Sequence, residues 1–381
     1  MSSTKKKIIV FVDWFYPGYK GGGPIRSCIN LVSLLQHHYE VKVVTRNVDL
    51  GETTPYPEIN SNQWIPFGEK VKVMYLSADR LSFSSIKNIL KQEQPDHVYL
   101  NSMYSVYFTI VPLLVNKLFA PSSVYTIAPR GMLYDSAVQK KVFKKKIFLA
   151  LIKRFVINRR LQFHATNENE IKSIQKYFPR NPVQLADNLP EQQQKPFQSC
   201  LKRTGTLKCI FVARIDKIKN LLLLLELLKN VRANIELHII GPVEDDQYWD
   251  LCKKAIEVLP ASVSITVSGA VSHSAINEHL LNSQLFVLLT RGENFGHSIF
   301  ESLLAGRPVL ISDQTPWRNL ESKRAGWDLP LADTQDIVEK LQEAASWDQE
   351  TFDIWARSAW DLSAEFLKNN KSRERYFNIF G

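Results

Sequence analysis

A chain of 381 residues is too long for one ordinary hydrophobic core, and its 45% hydrophobic and 23% charged residues are the balance of a soluble globular protein of two domains. The formal net charge of +10 calls for an anionic partner, and the lack of any apolar run beyond strand length argues against a transmembrane helix. Four scattered cysteines (Cys28, Cys200, Cys209, Cys252) show no metal-like spacing and read as free thiols in a reducing cytoplasm.

In chain order, Met1-Ser-Ser-Thr-Lys-Lys-Lys precedes only five apolar residues, too few for a signal-peptide core, and these read as a first strand, Ile8–Val12. Further strands are expected at Glu40–Thr45, Val71–Leu76, His97–Leu100, Val124–Ile127, Gln162–Ala165 and Val183–Ala186. A second series follows at Cys209–Ala213, Glu236–Gly241, Ser264–Gly269, Leu285–Leu289 and Val309–Ser312. Helical stretches alternate with these runs, which is the pattern of βαβ units in parallel sheets. The polar, proline-containing segment Asp187–Ser199 has no period and reads as a linker. The expected architecture is α/β: two Rossmann-like domains, with parallel sheets facing a central cleft, at 1–187 and 201–362, joined by a linker at 188–200 and followed by a terminal helix at 363–381. Trp317, Trp327, Trp347, Trp355 and Trp360 are read as packing residues.

Nine basic and no acidic residues lie between Gln139 and Arg160: Lys140, Lys141, Lys144, Lys145, Lys146, Lys153, Arg154, Arg159 and Arg160. With the interleaved apolar residues they form an amphipathic stretch suited to an anionic membrane surface, or else a buried helix with a solvated basic face. Nucleic acid is a poorer partner, since no helix-turn-helix, RNA-recognition or zinc pattern accompanies the charge.

The segment Arg291-Gly-Glu-Asn-Phe-Gly-His-Ser-Ile-Phe-Glu301 is the most informative. It sets Glu293 and Glu301 around a turn between a strand and a helix, at the sheet edge where open α/β folds bind ligands. Amides near Gly296 suit a phosphate, and the two carboxylates suit hydroxyls on either side of it, which together match a nucleotide sugar. As a bare pair, two glutamates at this spacing are usually solvated surface charge. Upstream, Arg214 and Lys219 flank a loop after the strand Cys209–Ala213, where two cations can hold a diphosphate without a metal. Gly21, Gly22 and Gly23 precede a helix and allow close approach to an anion, although a glycine run can also be a plain turn. No D-x-D occurs; Glu244-Asp245-Asp246 reads instead as a helix start. His297 either touches the donor or packs, and His164 reads as a structural histidine.

Four segments in this order carry a resemblance. Lys20-Gly-Gly-Gly-Pro-Ile-Arg26, Thr126-Ile-Ala-Pro-Arg-Gly-Met-Leu133, Lys208-Cys-Ile-Phe-Val-Ala-Arg-Ile-Asp-Lys-Ile-Lys-Asn220 and the Glu293/Glu301 segment together resemble the retaining GT-B glycosyltransferases of family 4, from about residue 8 to about residue 365. The resemblance implies catalysis by Glu293, Arg214 and Lys219. It implies donor binding by Gly22, Gly23, Arg214, Lys219, Asn294, Phe295, Gly296, His297 and Glu301, with a nucleotide-diphosphate sugar as donor substrate, no other cofactor and no metal. The last helix would cross back to the N-terminal domain. A cleft histidine common in the family is missing from Tyr99-Leu-Asn-Ser-Met-Tyr104, so Asn101 and Tyr104, with Arg130, become acceptor-side candidates. The acceptor would be a glycan or a polyprenyl-diphosphate-linked oligosaccharide in cell-surface polysaccharide synthesis, with the enzyme peripheral at the cytoplasmic face of the membrane. A nucleotide-sugar epimerase and a catalytically silent membrane-bound scaffold are the alternatives. Glu293 and Lys219 are expected to be exposed in the empty cleft, so that their replacement spares folding.

Overall fold

The computed structural model describes residues 5–119, 122–134, 149, 152, 161–191, 194–369 and 371–381. The nine cationic residues of the Lys140–Arg160 stretch lie outside these residues. The chain divides into two compact units, Met1–Leu189 with Lys371–Gly381, and Pro190–Asn370.

The first unit contains β1 (Lys7–Phe11), β2 (Glu40–Arg46), β3 (Trp64–Phe67), β4 (Val71–Leu76), β5 (His97–Leu100), β6 (Val124–Ile127), β7 (Gln162–Ala165) and β8 (Val183–Leu185). These form one sheet in the order β3-β4-β2-β1-β5-β6-β7-β8. β3 pairs antiparallel to β4, and the other pairings are parallel. Alternate residues of β1 enter different cores. Ile9 and Phe11 pack with Ile86 and Leu90 of the helix Phe83–Glu93, whereas Ile8 and Val10 pack with Leu31 and Leu35 of the helix Gly23–Leu35. A strand buried on both faces explains the unbroken apolar run. The terminal helix Ser372–Phe380 belongs to this unit and buries Tyr376, Ile379 and Phe380 in the second of those cores.

The second unit contains β9 (Thr206–Val212), β10 (Asn234–Ile240), β11 (Val263–Gly269), β12 (Leu285–Leu288), β13 (Val309–Ser312) and β14 (Gly326–Leu329). They are all parallel, in the order β11-β10-β9-β12-β13-β14. Strand order therefore reverses between β9 and β12, the topological switch point of a doubly wound sheet. The helix Leu221–Leu228 is leucine throughout except for the exposed Glu226, and it packs into the core through Leu221, Leu224, Leu225, Leu227 and Leu228.

Two strands were missed by the sequence reading. β3 contains Pro66, which an edge strand tolerates. β14, Gly-Trp-Asp-Leu, has too few apolar residues to stand out. The expected linker also needs correction. Gln194 donates to Trp360 O, the Arg307 guanidinium donates to Gln198 O at 2.7 Å, and Phe197 packs on the second core. This stretch is fastened to the second unit rather than being a free tether. Trp327, Trp347 and Trp355 stack on one another at 4.8–5.5 Å between ring centroids.

Two buried histidines of the first unit give an acid sensitivity. Burial pulls His97 down to about 4 and His164 to about 3, with Lys6 and Arg130 adding repulsion. Above about pH 7 both are neutral, folded or unfolded. As pH falls through 6.5 the unfolded chain takes up the protons first, so stability declines until the folded values are reached. His97 alone accounts for up to roughly 3 kcal/mol of that decline. The melting temperature should fall between pH 7 and pH 4.5, with a shallower slope in His97→Gln; an unchanged slope in that variant would remove His97 as a cause.

Candidate active site

The residues predicted to handle phosphate leave the carboxyl ends of β9 and β12, on either side of the switch point. After β9, the carboxylate of Asp216 accepts the backbone N–H groups of Ile218 and Lys219 at 2.8 and 2.9 Å, forming a tight turn. Asn220 then adopts a left-handed conformation (φ 58°) and caps the start of the helix Leu221–Leu228. Its buried side-chain amide donates to Leu289 O at 3.0 Å, and Arg291 N donates to Ile218 O at 2.7 Å. The two loops are thereby stitched together, and they bring Lys219 onto Glu293 in an ion pair.

That pair is half-hidden: the side chains of Lys219 and Glu293 are only 13% and 17% exposed. The expectation of exposed positions is therefore corrected, because the loop stitching closes water off from both. Arg214 is exposed and pairs with Glu244 at 2.5 Å, with Asp216 at 4.0 Å. Glu244 precedes Asp245, the N-cap of the helix Asp246–Glu257, as its acidic run suggested. Both cations thus carry carboxylate partners that a diphosphate would compete with or displace.

Glu293 N donates to Gln314 O at 3.0 Å, which ties the motif turn to the loop after β13. Gly296 caps the helix His297–Leu304 at φ 77°, a conformation suited to glycine, and a Cβ there would lie 2.6 Å from the Ile299 side chain. Phe295 is buried against Trp317, Phe300 and Phe366, and its carbonyl accepts the Trp317 indole N–H at 2.6 Å. It is a packing anchor that sets the turn. Asn294 is exposed, and the His297 ring lies 4.9 Å from that of Phe295. Glu301 lies one helical turn in, 11% exposed, 3.7 Å from His273 Nδ1.

In the first unit, Gly22 caps the helix Gly23–Leu35 at φ 63°, with open space where a Cβ would stand. The acceptor-side candidates Asn101 and Arg130 contact one another. Asn101 is buried and accepts from Arg130 Nε at 2.8 Å, and the guanidinium also donates to Asn188 and to the Tyr99 hydroxyl. Arg130 and Gly131 both have positive φ, and buried Glu170 accepts the Gly131 N–H at 2.6 Å. Arg130 is a structural tie with its donors engaged. Tyr104 donates to Met132 O at 3.4 Å, and burial raises its hydroxyl to about 12. Sequence reasoning overlooked Asp13, just beyond β1. It accepts from Ser105 Oγ at 2.8 Å and from Arg46 at 3.4 Å, and burial raises its carboxyl above the usual range. An acid ending an apolar strand was its signal.

The fold and this geometry agree with the comparisons. Residues 192–352 match the family model described as glycosyl transferases group 1. Those residues form a group 1 glycosyltransferase domain. The whole chain superposes on sucrose-phosphate synthase from Thermosynechococcus elongatus with a TM-score of 0.69 at 13% identity, covering 99% of this chain and 98% of that one. It is also similar to Anabaena HepE in complex with UDP-glucose (TM-score 0.66, 12% identity, 98% and 99% covered). WaaG, a glycosyltransferase involved in lipopolysaccharide biosynthesis, is similar too (TM-score 0.61, 14% identity, 98% of each chain). No curated protein matches. At these identities the likeness fixes the fold, which is that of the GT-B glycosyltransferases.

Removing one member of the Lys219–Glu293 pair leaves the other charge unpaired at partial depth, which costs about 1–3 kcal/mol, between the exposed and buried limits. Lys219→Met and Glu293→Gln should each lower the melting temperature of the glycosyltransferase, and the double variant should lose less than the two singles combined. Strictly additive losses would mean that the two side chains are not coupled.

Proposed function

We propose that this glycosyltransferase transfers a sugar, with retention of configuration, from a nucleotide-diphosphate sugar to a glycan or polyprenyl-diphosphate-linked acceptor, without a metal ion. The observation that carries the reading is the meeting of Lys219 and Glu293 at the β9/β12 switch point, beside the glycine-capped start of the helix His297–Leu304. A donor diphosphate laid there would meet two cations and the positive end of that helix, and these stabilise the charge that builds on the leaving group. Glu293 fixes the ammonium of Lys219 and faces the sugar. Glu301, in the first turns of the same helix, accepts the ribose diol. The leaving phosphate then draws the proton from the attacking hydroxyl, so that the protein supplies position and charge rather than a dedicated base.

HepE was solved with UDP-glucose, which supports a nucleotide sugar as the donor here. The lipopolysaccharide role of WaaG supports a cell-surface polysaccharide acceptor. The nine cations between Gln139 and Arg160 support a peripheral position on an anionic membrane, at its cytoplasmic face. No described helix is long and apolar enough to cross a membrane.

A thermal-shift screen against UDP, GDP, ADP, dTDP and CMP, with and without EDTA, checks the donor reading. One diphosphate should raise the melting temperature regardless of EDTA, and a flat response from cooperatively melting protein would refute it. With that donor class and an acceptor in hand, Glu293→Gln and Lys219→Ala should each lower turnover by at least about a hundredfold. Near-normal turnover in a folded variant would strip that residue of its role, and activity lost in EDTA but restored by Mg²⁺ would contradict metal independence.

A further inference from the structure

Beyond the residues carried by the motifs, one imidazole stands directly beside a motif carboxylate. His273 opens the helix His273–Leu281, behind the N-cap Ser272, whose hydroxyl accepts from Ala275 N. Its Nδ1 lies 3.7 Å from Glu301 Oε1 and its Nε2 lies 3.6 Å from Glu191 Oε2. A ring flip would put Cδ2 and Cε1 where these nitrogens stand, so a single ring orientation serves both carboxylates. Glu191 pairs in turn with Lys195 at 3.5 Å, and Lys195 donates to Asn277 Oδ1 at 3.0 Å. Asn277 lies one turn along the helix that His273 begins, so the contacts close into a ring. All five residues line one small cavity.

We propose that His273 is a positioning residue: braced by Glu191, it holds the Glu301 carboxylate in the orientation that accepts the diol of a ribonucleoside diphosphate. The distance to Glu301 is longer than a hydrogen bond, so the imidazole orients the carboxylate by contact, limiting the rotamers open to it, without forming a hydrogen bond to it. A carboxylate on a helix has several rotamers open to it. Fixing one of them in advance lowers the ordering cost of binding, which is the general source of gain from preorganised sites. The bracing Glu191 comes from the segment just before β9, which packs on the second unit.

This inference rests on the reading of Glu301 as a donor contact, and calorimetry separates the two. The full-length protein is titrated with the diphosphate that gives the largest thermal shift among UDP, GDP and ADP, and with its 2′-deoxy counterpart. The wild type should bind the ribose form at least about tenfold more tightly, the scale of one lost hydrogen bond to a charged group. His273→Ala should bring that ratio below about threefold by weakening the ribose form alone, and His273→Gln, which keeps side-chain bulk of similar reach against the carboxylate, should restore most of it. An unchanged ratio in His273→Ala, or an equal loss for both ligands, overturns the positioning role. Should the alanine variant fail to fold, a wild-type ratio in a folded His273→Leu variant overturns it as well. Wild-type protein that binds both forms equally, or binds neither, instead sinks the assignment of Glu301 and this proposal with it.

Discussion

Parallel β-structure is the constraint on which the rest of this protein depends. A parallel strand can be followed by its neighbour only through a crossover, so every strand end of one polarity opens into a loop at the same edge. In the second unit that edge collects Arg214 and Lys219 after β9, Glu244 after β10, His273 after β11, Glu293 after β12 and Gln314 after β13. In the first unit the same edge collects Asp13 and the glycine run after β1, Asn101 after β5 and Arg130 after β6. No chemistry had to be arranged residue by residue; the sheet put the loops side by side.

What those loops hold is mostly paired charge. Lys219 lies on Glu293, Arg214 on Glu244, and His273 between Glu191 and Glu301. Pairing keeps a cation such as Lys219 in place at partial depth, where an unpaired charge would be costly to desolvate. Rigid backbone contacts set the geometry beneath them: the Asp216 turn, the left-handed Asn220 and the glycine cap at Gly296. Charge and position are thereby both held ready by the fold itself.

The first unit spends its buried polar groups differently. Arg130 is fastened to Tyr99, Asn101 and Asn188, while His164 joins the Tyr99 hydroxyl at 2.6 Å and Ala186 O at 2.7 Å. Arg375 of the terminal helix reaches Asp187 at 2.9 Å. These contacts converge on the few residues after β8, where the chain leaves this unit, and on the helix by which it returns. Buried groups that hydrogen-bond to one another in this way favour one arrangement of the segment they hold.

The sequence by itself determined the α/β class and most of the strand positions, because buried parallel strands are short apolar runs, and it singled out the residues of the loops after them. Leu285–Leu288 and Val309–Ser312 could be read directly, and Glu293, Glu301, Arg214 and Lys219 stood out against them. β3 and β14 could not, since Pro66 and Asp328 interrupt any apolar pattern and only sheet neighbours stabilise them. Tertiary structure alone decided which charges meet. Lys219 and Glu293 are 74 residues apart in sequence, and Arg130 and Asn101 are 29 apart. No local propensity encodes such pairs; they arise where the crossovers deliver the loops, and burial then determines whether an arginine waits for a ligand or ties the fold together.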